Sequence, residues 1–233
     1  MNKIFIGLVA LAVSLSAGDI YAMFNVKASQ SASLAFDAGG AVKKVNFEIA
    51  SSVKKGDVLA ILANKDKKAN YDNAKTALKF AKKDYDRQVK VKKLIDASKF
   101  DVYAFKYENA KNNLAFQQSM YNKTFLRAPF DGILFYKDIE VGDTVSGMSL
   151  KTVYKIQSKN SRKLVLEFDQ KYHKIVKVGD KFIYTIDGDK NEYTGVISKI
   201  HPTANAKTRK ISAEVQAKHF MPGLFGHGII KAK

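Results

Sequence analysis

The sequence predicts an α+β chain of several parts: a small lipoyl-like β domain in two halves, a long helical hairpin inserted between the halves, and a small β-barrel after them. Three observations carry this. Residues 65–125 hold no Gly or Pro and interleave charged residues with Ala, Leu, Tyr and Phe, which is helix composition. The segments on either side repeat each other: Gly40, Val42, Glu48, Ile49 and Val53 fall on Gly132, Leu134, Glu140, Val141 and Val145 at a constant offset of 92. Beyond Gln157 the pattern changes to short strands separated by turns such as Val178-Gly179-Asp180 and Asp187-Gly188-Asp189.

In chain order, Lys3, the apolar stretch from Ile4 to Leu15 and the small residue closing Ile20-Tyr21-Ala22 predict an export signal over residues 1–22, cut after Ala22. The apolar run stops near Ala17, short of the roughly 20 residues a spanning helix needs. Residues 33–62 and 126–157 form the two halves of the β domain, and 63–125 the hairpin. Tyr71, Ala74, Leu78, Ala81, Tyr85 and Gln88 keep a 3,4 alternation, as do Tyr103, Tyr107, Ala110, Leu114, Gln117 and Tyr121, so the two helices share one seam. Asp96-Ala97 is the expected turn, and Ser98 with Asp101 three residues on resembles a capping box opening the second helix. A first helix of about 30 residues would run about 45 Å. Pro129 is expected to close the second helix. Five strands in 158–233 predict the barrel, with residues 23–32 available to add to it.

The composition excludes more chemistry than it suggests. Without cysteine there is no disulfide, thiolate nucleophile or thiolate metal site. Net charge is +18 from 40 Lys+Arg against 22 Asp+Glu. Only Arg87, Arg127, Arg162 and Arg209 are arginines, so the charge reads as a solvated lysine surface and not as a nucleic-acid interface, where bidentate guanidinium dominates. His173, His201, His219 and His227 have no ligand spacing, and the methionines are scattered, so no metal or cofactor is expected. That favours small organic or amphiphilic cargo over soft metal ions. Ser51-Ser52-Val53-Lys54 matches S-x-x-K formally but sits in a turn without companion motifs, so no catalytic residue is assigned. A basic coiled-coil protein coating nucleic acid or an anionic membrane is the alternative from another class.

The octet from Leu126 through Arg127, Pro129, Asp131 and Gly132 to Ile133 closely resembles the signature of periplasmic adaptors, the membrane fusion proteins of bacterial tripartite efflux pumps. Val53 to Ala60, Glu140 to Val145, Leu166 to Asp169, Gly195 to Ile200 and Pro222-Gly223-Leu224 follow the same family in order, covering about residues 33–231. The resemblance implies a non-catalytic periplasmic subunit, exported by its signal and held at the inner membrane through its transporter. It implies an RND-type transporter, a TolC-like outer-membrane channel and a homo-oligomer, a hexamer in the assembled pump; an ATP-driven exporter is the alternative partner. It further implies that the hairpin tip docks the channel through Arg87, Val91 and Ser98, where Val91 stands in place of the family's Leu. Arg127, Pro129, Asp131 and Gly132 are expected to be a structural turn, with Gly132 supplying its conformational freedom. The chain stops at Lys233, just after the last barrel strand, so a membrane-proximal domain is expected to be absent.

Overall fold

The computed structural model describes residues 18–149 and 151–232. In chain order come β1 (Ile20–Ala28), β2 (Ser31–Leu34), β3 (Gly40–Val45), β4 (Ser52–Val53), β5 (Val58–Leu62), α1 (Lys65–Lys90) and α2 (Ala97–Asn122). There follow β6 (Phe125–Arg127), β7 (Gly132–Lys137), β8 (Thr144–Val145), β9 (Tyr154–Ser158), β10 (Ser161–Asp169), β11 (Lys181–Ile186), β12 (Tyr193–Ile200), β13 (Lys210–Lys218) and β14 (Phe225–Lys231). Two compact units result, one of residues 30–159 and one of the residues on either side of that span.

The first unit packs two four-stranded sheets, β2-β9-β7-β4 and β6-β5-β3-β8, around Val42, Leu59, Leu62, Leu134 and Ile156. Neither repeat half closes a sheet alone: β3 pairs with β8, β4 with β7 and β5 with β6 across the halves. The repeat extends to turn geometry. At Glu48 to Ser51 the Ser51 hydroxyl accepts the Glu48 amide at 3.2 Å; at Glu140 to Asp143 the Asp143 carboxylate accepts the Glu140 amide at 2.8 Å. Ala50 (φ 69°) and Gly142 (φ 98°) occupy the same left-handed position in the two turns.

The hairpin is spliced into this sandwich at adjacent strand ends. The Leu62 amide donates to the Thr124 carbonyl at 2.9 Å, and Ala60 pairs with Leu126. Buried Asn64 donates from Nδ2 to the Thr124 hydroxyl at 3.1 Å. Pro129 does not close α2 as expected. The helix stops at Asn122, where the Thr124 hydroxyl turns back onto the Tyr121 carbonyl at 2.6 Å, and β6 intervenes before the proline.

The second unit is a closed antiparallel barrel in the order β1-β10-β13-β12-β11-β14. It has six strands, not five. The added one, β1, alternates Ile20, Ala22, Phe24 and Val26 into the core with Tyr21, Met23 and Asn25 outward, and it pairs with both β10 and β14. The expected boundary after Ala22 falls inside β1: Ile20 and Ala22, 2% and 0% exposed, belong to the barrel. The rest of the expected export signal, residues 1–17, lies outside the described residues. Phe24 packs edge-on against Phe182 and Tyr184, with ring centroids 5.8 and 5.3 Å apart. Gly226 and Gly228 on β14 leave the space these rings fill.

Candidate functional site

The hairpin is built by its seam. Each helix has 26 residues, about 39 Å at 1.5 Å per residue and shorter than the sequence suggested. The heptad positions face inward: Tyr71 stacks on Tyr121 at 5.8 Å near the base, Ala74 is buried midway, and Tyr85 stacks on Tyr107 at 5.1 Å near the tip. Outward faces carry solvated ion pairs such as Lys68–Asp72 and Lys82–Asp86, together with exposed Phe80, Phe105 and Phe116.

Beyond Tyr85 the chain turns, and all three tip residues lie around that turn. Arg87 is in the last turn of α1, exposed and paired with Asp84. Val91, partly exposed, joins α1 to a short 3-10 helix over Lys92–Leu94. Ser98 is in the first turn of α2, and the Tyr85 ring sits 5.6 Å from Phe100, so the end of α1 abuts the start of α2. Ser98 is not the cap. Asp96 is, accepting the Ser98 amide at 2.8 Å and the Ser98 hydroxyl, and these bonds hold the Asp96 carboxyl below its usual range. A more prominent feature escaped the sequence reading: Leu94 is 85% exposed, held out by the 3-10 turn, and only the turn geometry decides that it points outward. Residues 82–99 carry seven Lys or Arg against three Asp, so the tip is a basic rim around small apolar knobs.

The signature octet is a lock between the repeat halves. Arg127 donates from Nη1 to the Gly56 carbonyl at 2.9 Å, and Asp131 accepts the Lys55 amide at 2.7 Å. The Ala128 amide donates to the Asp57 carbonyl at 3.0 Å. Gly132 is required by close approach and not by a turn conformation, for a Cβ there would stand 2.4 Å from the Gln157 carbonyl on β9. Lys137 completes the join. Its ammonium lies 2.9 Å from Glu48 and 2.8 Å from Glu140, the two repeat-equivalent carboxylates, which raise its pKa, Glu140 most. Burial pushes the nearby Tyr154 phenol up to about 12, and its hydroxyl donates to the Phe47 carbonyl at 2.7 Å. Ser51 is engaged in the turn described above and has no nucleophilic partner in that turn. Among the described residues no three His, Asp or Glu side chains gather as a metal site, and no described helix is long and apolar enough to cross a membrane.

A barrel, a two-half sandwich and a helical hairpin spliced between the halves together define the architecture of a periplasmic adaptor, or membrane fusion protein. Residues 30–157 match the family of the CzcB-like, barrel-sandwich hybrid domain, and the chain belongs to that family. The cobalt-zinc-cadmium resistance protein CzcB of Cupriavidus metallidurans is 25% identical over 207 residues, covering 80% of this chain but 39% of that protein. The chain thus spans well under half the length of the curated relative it matches. Among solved structures, a MacA-MexA chimera with the Pseudomonas aeruginosa MexA α-hairpin domain aligns with TM-score 0.82 at 18% identity, over 92% of this chain and 81% of that one. The membrane fusion protein Spr0693 of Streptococcus pneumoniae R6 aligns with TM-score 0.71 at 14% identity, over 92% and 99%. These likenesses show the fold.

Proposed function

We propose that this chain is the non-catalytic periplasmic adaptor of a tripartite efflux pump, joining an inner-membrane transporter of the RND type to a TolC-like outer-membrane channel as a hexamer. The observation that carries it is the hairpin: two 26-residue helices inserted without disturbing the sandwich, ending in an exposed basic and apolar tip. Such a device has one use, reaching another molecule. Arg87 offers a fork of donors for helix-end carbonyls or carboxylates, Val91 and Leu94 offer apolar knobs, and Ser98 braces the turn through Asp96.

Arg87→Glu tests the reading. The side chain is exposed, so folding should be preserved by circular dichroism, while crosslinking to the channel and export should fall sharply. Wild-type crosslinking and resistance in the folded variant would sink the tip assignment. The cargo has two readings. The lack of a gathered metal site among the described residues motivates small organic compounds, whereas the name of the relative CzcB favours divalent cations. Comparing sensitivity of a deletion strain to zinc, cobalt and cadmium with its sensitivity to amphiphilic drugs separates them.

A further inference from the structure

The barrel has two ends. At one end β1 leaves at Ala28 and β10 begins at Ser161, paired through Ala28 and Arg162, and the nearby loop 187–192 carries Asp187, Asp189 and Glu192 against Lys190. At the other end β1 begins, β14 ends and β11 begins, since Ile20 pairs with Ile230 and Lys181 with Lys231. The loop 170–181 closes that second end. It contains Lys171, Lys174, Lys177 and Lys181, all exposed, and one acid, Asp180, which is buried and spent on the Lys177 amide at 2.8 Å.

The loop also holds apolar side chains out in water. Ile175 is 41% and Val178 62% exposed. Slackness is not the cause, for the backbone is tied on both sides. Asp169 accepts the Lys171 amide at 2.8 Å, the Ile175 and Val176 amides donate to the Tyr172 carbonyl, and Val176 is buried in the barrel core. Beside the loop, cross-strand partners Tyr21 and Ile229 add exposed apolar surface at the same end.

We infer that this end of the barrel, centred on Ile175 and Val178, rests on an anionic phospholipid surface. Apolar tips bounded by lysines, with their stems along apolar surface and their ammonium groups at headgroup level, match the interface of a negatively charged bilayer. A lipid occupant fits better than a folded partner because the lysines are spread around the loop and, among the described residues, none of the four loop lysines is in an ion pair.

The chain has no cysteine, so Val178→Cys in the full chain takes a single environment-sensitive dye. Its emission should shift to the blue on vesicles of phosphatidylglycerol and phosphatidylcholine, but not on pure phosphatidylcholine, and the shift should fade as salt rises. A dye at Lys190→Cys on the opposite end should not respond. Replacing Lys171, Lys174 and Lys177 together by Glu should lower partitioning about a hundredfold. No shift at 178, an equal shift at 190, or an unaffected triple variant would overturn the inference. A shift seen only when vesicles contain the transporter would also overturn it, making the loop a protein contact. Channel crosslinking through Arg87 is independent of all these outcomes, so failure here leaves the adaptor reading standing.

Discussion

Ala50 adopts φ 69° in a turn whose repeat partner places Gly142 at φ 98°. A Cβ in the left-handed region costs about 1–2 kcal/mol, and part of that is offset by the greater freedom a glycine has when unfolded. Ala50→Gly should therefore stabilise the sandwich by roughly 0.5–1 kcal/mol, seen as a higher urea midpoint at unchanged slope. An unchanged or lower midpoint would show that the turn relaxes around alanine at no cost. At the tip the roles of Asp96 and Ser98 separate in the same way. Asp96→Ala removes the cap itself, whereas Ser98→Ala leaves the carboxylate on the amides of α2, so helical ellipticity should drop more in the first variant. The Asp96 carboxyl is held below its usual range by the Ser98 hydroxyl and amide. Its contribution is thus present above the unfolded value and lost only as pH falls through the lower folded one.

At the scale of elements, β14 shows why some strands are short of side chains. A Cβ on Gly226 would lie 2.3 Å from the Thr185 carbonyl and 2.4 Å from the Phe24 ring, and one on Gly228 would lie 2.8 Å from the Phe182 ring. Gly226→Ala and Gly228→Ala should each cost about 1–3 kcal/mol by overpacking, measured by thermal or urea unfolding, although the chemical change is one methyl. The barrel also holds a pH-sensitive join: Glu214 on β13 meets Lys163 at 2.8 Å and His201 at 3.2 Å, and Lys163 above all lowers its pKa. That stabilisation is complete above the unfolded carboxyl range and falls away below it, so Glu214→Gln should weaken the barrel at neutral pH and hardly at all in strong acid. Legibility followed the same physics. The hairpin was readable because a heptad is a long periodic signal, and Tyr71, Tyr85, Tyr107 and Tyr121 all face the seam. Capping was not, since Asp96 and Ser98 differ only in backbone angles at one residue. The octet announced itself, but the reason for Gly132 lies in β9, which pairs with it 26 residues further on at Ser158.

For the whole molecule, the decisive segment is the one where the expected leader and the fold overlap. Ile20 and Ala22 were hidden from a sequence reading because Ile20-Tyr21-Ala22 closes on the small residue expected at the end of a leader, and that pattern alone does not tell a leader end from a strand start. The barrel resolves the overlap. Closing six strands removes every sheet edge, and β1 is the stave between β10 and β14. A chain cut after Ala22 would lose Ile20 and Ala22 from the core and the Lys231–Asp19 ion pair at 2.6 Å, leaving the β1-facing edge of β14 unpaired over Gly228 to Ile230 while its β11 side stays paired. Burying one isoleucine contributes about 1.5–3 kcal/mol, and exposed strand edge adds a hazard of association. If the leader is processed, cleavage is therefore expected upstream of Ile20, where Ser16-Ala17-Gly18 offers small residues at the spacing a signal peptidase uses. Sequencing the amino terminus of the protein recovered from the periplasm checks this: a start at Asp19 or earlier is expected. Chains beginning at Gly18 and at Met23 should differ in melting temperature, the shorter one melting lower and aggregating more readily. Recovery of a Met23 start with an equally stable barrel would mean that β14 closes onto β10 without the first turn of β1.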